Sequence, residues 1–75
     1  MAADMSNICY CSIRVSDEDK DDPIFMEKAC QMVEKRLFEK FPNALPETFK
    51  WQYSRLIDTL DWGVTLFADK GHTND

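Results

Sequence analysis

From residue 7 onward, apolar and polar positions alternate with a period of two. Cys9, Cys11, Ile13 and Val15 fall on one side, and Tyr10, Ser12 and Arg14 on the other. This alternation predicts a half-buried strand over residues 7–15. Beyond residue 22 the period changes. Met26, Ala29, Cys30, Val33, Leu37 and Phe41 recur at spacings of three and four, the signature of an amphipathic helix. Asp22-Pro23 marks its start: aspartate supplies a cap acceptor, and a proline in the first helical position loses nothing, because that N–H has no partner in the helix. Phe41-Pro42-Asn43 marks its end, since the proline ring pushes the preceding residue out of the helical region. Ile24, Met32 and Phe38 lie off the centre of the stripe. Widening the core is their favoured role, and leaving apolar surface for a partner is the other.

Between residues 43 and 62 two patterns compete. Phe49, Trp51 and Tyr53 alternate with Lys50, Gln52 and Ser54, which favours a strand. Phe49, Tyr53, Leu56, Ile57 and Leu60 also fit one helical face, with Asn43 as its cap, Pro46 and Glu47 in its first turn and Gly63 after its end. Residues 62–68 then read as a strand with Val64, Leu66 and Ala68 on one side, followed by a polar tail over residues 69–75. The expected fold is α+β, a small antiparallel sheet with one long helix in the order β-α-β-β; the alternative is β-α-α-β. A single domain over residues 1–75 is expected, with flexible ends at 1–6 and 69–75. A chain of this size buries only about 60% of the surface its unfolded form exposes, so a partner or self-association would add stability.

Charge changes the picture at one place. The net charge is −5, and residues 16–22 carry five acids (Asp17, Glu18, Asp19, Asp21, Asp22) against Lys20 alone. A cluster that dense repels itself and predicts a solvated loop just ahead of the long helix. A pI near 4.7 argues against direct nucleic-acid binding, which needs cationic surface to displace counterions. No apolar run approaches the roughly 20 residues of a membrane span, and no membrane contact is expected. Residues 1–7 show neither a basic n-region nor an apolar h-region, which sets the expectation of a cytoplasmic protein.

The residues that carry chemistry elsewhere do not assemble into a site here. Three cysteines are an odd number for a disulfide framework, and Cys9 and Cys11 fall on the apolar side of a strand, where a free thiol behaves as a small hydrophobe. Cys9, Cys11, Cys30 and His72 match no common zinc spacing, so no metal is expected. Asp17, Asp19 and Asp21 imitate the first ligands of an EF-hand loop, but Asp22 stands where its glycine belongs and Lys28 where its glutamate belongs. The lone histidine lies in the polar tail, too loosely placed to serve as a general base beside a nucleophile. The expectation is a protein that is not an enzyme and holds no cofactor.

The run Glu34-Lys35-Arg36-Leu37-Phe38-Glu39-Lys40-Phe41-Pro42-Asn43 resembles the DinI-like proteins of enterobacteria and their phages. In these, an amphipathic helix passes through a basic pair and an aliphatic residue into Phe-Pro-Asp. The order of elements is similar too, with a strand before the helix and two after it. The resemblance implies modulation of the RecA recombinase filament, a role in which the acidic surface of a second, C-terminal helix is implicated. Only seven residues follow Ala68, too few for that helix, so no functional residue carries over.

The functional expectation is therefore an acidic, non-catalytic protein-binding module of a phage-like type. It would inhibit or modulate a protein with a basic surface, one that handles nucleic acid, and act as a DNA mimic. A DinI-like recombinase modulator and a small structural subunit, including a homodimer, are the alternatives. The binding residues expected are the five acids (Asp17, Glu18, Asp19, Asp21, Asp22), with Trp51, Tyr53 and Trp62 as aromatic anchors.

Overall fold

In the computed structural model, which describes residues 7–71, three antiparallel strands lie in the order β1-β3-β2 beneath one long helix. The strands are β1 (Ile8–Ser16), β2 (Lys50–Arg55) and β3 (Asp61–Asp69). A single-turn helix α1 (Asp17–Lys20) precedes the long helix α2 (Pro23–Lys40), and a 3-10 turn (Pro46–Thr48) leads into β2. The architecture is α+β with the expected β-α-β-β order of major elements. The contested segment resolves as a strand, because β2 pairs residue for residue with β3, Trp51 opposite Leu66 and Tyr53 opposite Val64. The helical stripe through Ile57 and Leu60 buries nothing: both are exposed in the β2–β3 connection.

Alternation in β1 and β3 matches their registers. Cys9, Cys11, Ile13 and Val15 face the same side as Ala68, Leu66, Val64 and Trp62, their partners across the ladder. Against that side α2 lays Ala29, Val33 and Leu37, its three buried residues. Val33, Leu37, Val64 and Leu66 are all 0% exposed, so the core centres on the middle strand under the central turns of the helix. The helix starts where Asp22-Pro23 predicts: Asp22 Oδ1 accepts the N–H groups of Ile24 at 3.0 Å and Phe25 at 3.3 Å. It stops at Phe41, whose N–H still reaches Leu37 C=O at 2.7 Å.

The off-centre residues divide between their two expected roles. Phe38 widens the core, its ring 5.7 Å from that of Phe49. Ile24 and Met32 do not: they are 67% and 41% exposed, since the sheet is too narrow to reach beneath both flanks of the helix.

The acidic stretch departs from the loop expected there. It folds as α1, capped by Ser16 Oγ, which accepts the Asp19 N–H at 3.1 Å. The polar tail also begins as structure. Asp69 closes β3, Lys70 N–H donates to Asn7 C=O at 2.7 Å, and Gly71 takes φ +75° against Asn43. A Cβ at Gly71 would meet Asn43 O at 2.0 Å, so no other residue fits there without moving the chain. Of the expected flexible ends at 1–6 and 69–75, residues 1–6 and 72–75, with His72 among them, lie outside the described residues.

Two substitutions test this core. Val33→Asp or Leu37→Asp places an unpaired carboxylate where no water reaches, at several kcal/mol against a total of about 5 for so small a domain. Both variants should lose the cooperative thermal transition by circular dichroism; a transition near the wild-type midpoint would show that the helix packs on another face.

Candidate functional site

The register of the sheet gathers one end of the molecule. Ser16 at the end of β1 lies opposite Asp61, and Arg55 at the end of β2 lies opposite Trp62. Helix α1, the first turn of α2 and the connection over residues 56–60 therefore meet at this end. It carries the five acids of residues 17–22 together with Asp58 and Asp61, against Lys20, Arg14 and Arg55. Arg14 is paired with Asp61.

What separates this cluster from a loose acidic loop is Trp62. Its indole N–H donates to Asp17 Oδ1 at 2.8 Å, joining α1 to the central strand. The Lys20 ammonium stands 4.2 Å from the centre of the Trp62 ring, and the Arg55 guanidinium 5.9 Å from it. Trp62 thus holds a carboxylate at its edge and cations over its face, the arrangement that the ring quadrupole and the indole donor favour. The remaining acids have different tasks. Glu18 and Asp21 are exposed, Asp19 is half-buried, and Asp22 spends its carboxylate on capping α2. The positive end of the α2 dipole offsets part of the repulsion among them.

Around the acids lie exposed apolar side chains: Ile57, 88% exposed, with Leu60 and Ile24. Asp58, at φ 64°, turns the chain so that Ile57 and Leu60 project from the hairpin tip. Three uncovered aliphatic groups beside a carboxylate cluster are a feature that alternation alone did not single out.

The aromatic residues expected as anchors separate. Trp62 joins the acidic end, and Tyr53 lines a recess of about 330 Å³ with Trp62, Met26 and Lys20. Trp51 lies elsewhere, half-buried against the core cluster of Leu37 and Leu66, and serves packing. The signal that could have found the short helix is Ser16-x-x-Asp19, a serine spaced from an acid as at a helix start. Lys20 over Trp62 had no such signal, because the contact joins distant parts of the sequence and depends on register.

Among the described residues, no three His, Cys, Asp or Glu side chains converge in a metal-binding arrangement. All three cysteines are free thiols. Burial pushes the Cys9 thiol above its ordinary pKa, with Lys70 opposing. Burial also raises Cys30, although the Tyr53 hydroxyl that hydrogen-bonds its sulfur pulls the other way. The same contact adds to burial in raising Tyr53. None of the described helices is long and apolar enough to cross a membrane. No protein-family model matches the chain, and the searches of curated proteins and of solved structures gave no match.

The thiols generate a pH prediction. Cys9 and Cys30 keep their protons in the folded state to higher pH than in the unfolded chain, where a thiol ionises near 9.0. Above that value the unfolded state has released protons that the folded state still holds, so stability falls as pH rises. Urea unfolding should show the midpoint decreasing between about pH 8.5 and 10.5. The double variant Cys9→Ala, Cys30→Ala should flatten that decrease; an unchanged slope would locate its origin elsewhere.

Proposed function

We propose that this protein is a non-catalytic binding module that applies its acidic end to a basic surface on another protein, and so inhibits or modulates it. One observation carries the reading: Asp17, Glu18 and Asp19 stand on a capped helical turn that Asp17 and Trp62 fasten to the central strand, with Asp21 and Asp22 between it and α2. Charges held in place cost less ordering on binding than charges on a loose loop, and their field steers encounter with a cationic partner. Ile57, Leu60 and Ile24 supply apolar area next to them, as a docking surface requires beyond charge alone. Regularly presented carboxylates resemble the charges of a phosphate backbone, which makes a nucleic-acid-handling protein of a cytoplasmic compartment the favoured target. The β-α-β-β order supports a narrower second reading, a DinI-like modulator of a recombinase filament.

The test separates charge from contact. In the variant Asp17→Asn, Glu18→Gln, Asp19→Asn, Asp21→Asn, the amide oxygen introduced at position 17 still accepts from Trp62. Asp22 is kept because losing its cap costs about 1 kcal/mol. With the partner captured from the source cell, this variant should fold normally and associate about tenfold more slowly at low salt. Wild-type association should slow as salt rises toward about 0.5 M. Ile57→Ser with Leu60→Ser should instead speed dissociation. Unchanged association by the neutralised variant would exclude the acidic end as the docking surface.

A further inference from the structure

The strand order leaves β1 at one margin of the sheet, and among the described residues no strand pairs with its outer edge. The bond from Lys70 N–H to Asn7 C=O sets the alternation along the antiparallel ladder. Odd-numbered residues from Cys9 to Val15 bond to β3, so the N–H and C=O groups of Ile8, Tyr10, Ser12 and Arg14 point away from the sheet. Such a row of backbone groups is a template for another strand.

Two recesses run beside this edge. The first, about 500 Å³ between β1 and α2, has an apolar floor of Ile13, Val15, Phe25, Ala29 and Met32. Arg14, Lys28 and Arg36 stand at its rim. The second, about 450 Å³, continues along β1 past Cys11 and Tyr10 and adds Lys40 and Lys70. Besides Arg14, which is paired with Asp61, four cations line the two recesses (Lys28, Arg36, Lys40 and Lys70) and no acid does, in a protein of net charge −5. By helical spacing Glu39, three residues after Arg36, is the one acid of α2 on this side. The two recesses are thus richer in cations than the acidic end is, although Asp69 lies opposite Ile8 across the ladder.

We infer that the β1 edge and its cationic, apolar-floored groove form a second binding site, which takes an acidic peptide segment in extended conformation as a fourth strand. Main-chain hydrogen bonds to Tyr10, Ser12 and Arg14 supply affinity that is independent of sequence. One set of the peptide's alternating side chains enters the recess between Phe25 and Met32. Carboxylates two residues away in that same set, on the helix side of the sheet, come within reach of the long Lys28, Arg36 and Lys40 side chains. A second copy of this chain is the poorer occupant: two-fold pairing of β1 with β1 sets these cations against their own equivalents, a like-charge arrangement that opposes association.

The test uses three fluorescent probes on the full chain: an octapeptide in which valine and glutamate take turns at every second position with threonine between, the same peptide with lysine for glutamate, and a single-stranded oligothymidylate. The glutamate peptide should bind saturably below about 1 mM, at least tenfold more tightly than the lysine peptide or the oligonucleotide. On binding, hydrogen exchange at the Tyr10, Ser12 and Arg14 amides should slow. Lys28→Glu with Arg36→Glu, both on the exposed face of α2, should weaken binding at least tenfold with the thermal midpoint retained. Ser12→Pro removes one outward donor without touching the β3 ladder and should also weaken it. Tighter binding of the oligonucleotide or the lysine peptide, absence of saturable binding, or binding without slowed exchange at those three amides would overturn the site. So would a concentration-dependent dimer that protects the same amides with no peptide present.

Discussion

Everything else in this molecule depends on the contact between α2 and the middle strand. A three-stranded sheet covered on one face by a single helix excludes water completely only along its middle, where Val33 and Leu37 cluster with Leu66 and Val64 is equally buried on the same strand. The other buried side chains, Cys9, Val15, Ala29, Ala44 and Ala68, are small. With so narrow a core, the periphery is held by polar stitching instead. Leu45 N–H donates to Asp69 C=O, Thr48 Oγ1 accepts from Asp69 N–H, and Gly71 closes against Asn43. These bonds tie the helix-to-strand connection to the end of β3 opposite the acids.

The same economy exposes the two proposed surfaces. One helix cannot cover both flanks of the sheet, so Met32 and Phe25 remain partly open beside β1, and Ile24 remains open at the acidic end. The two proposed surfaces therefore arise from one geometric fact, and their charges are opposite. Under the proposed reading the acidic end would meet a folded basic partner, approached through steering and then through Ile57 and Leu60. The β1 edge suits a flexible acidic segment, which orders as it pairs.

The main elements were legible because their signals are local. Alternation in β1 and β3, the stripe of α2, and Asp22-Pro23 with Phe41-Pro42 at its ends are read within a few residues. The segment around Tyr53 was ambiguous because Phe49, Tyr53, Leu56, Ile57 and Leu60 satisfy a helical spacing that the folded protein never uses. Pairing with β3 decides it, a tertiary effect that outweighs local pattern. The acidic stretch was visible as a cluster, but like-charge repulsion argued for a loop, whereas Ser16 caps it as a helical turn. Its attachment to Trp62 was hidden, since Asp17 and Trp62 lie 45 positions apart. Lys28, Arg36 and Lys40 show only as charges on a helix until the sheet order sets them beside a free strand edge.

The acidic cluster is a fixed part of the fold, held by the Ser16 cap and by Trp62. Backbone 15N relaxation of residues 17–22 tests it most directly, because order parameters separate rigid backbone from mobile loop on the relevant timescale. With α1 capped by Ser16 and fastened by Trp62, the account predicts values near about 0.85 through this turn, equal to those of α2. Values below about 0.6 across residues 17–21 would contradict it.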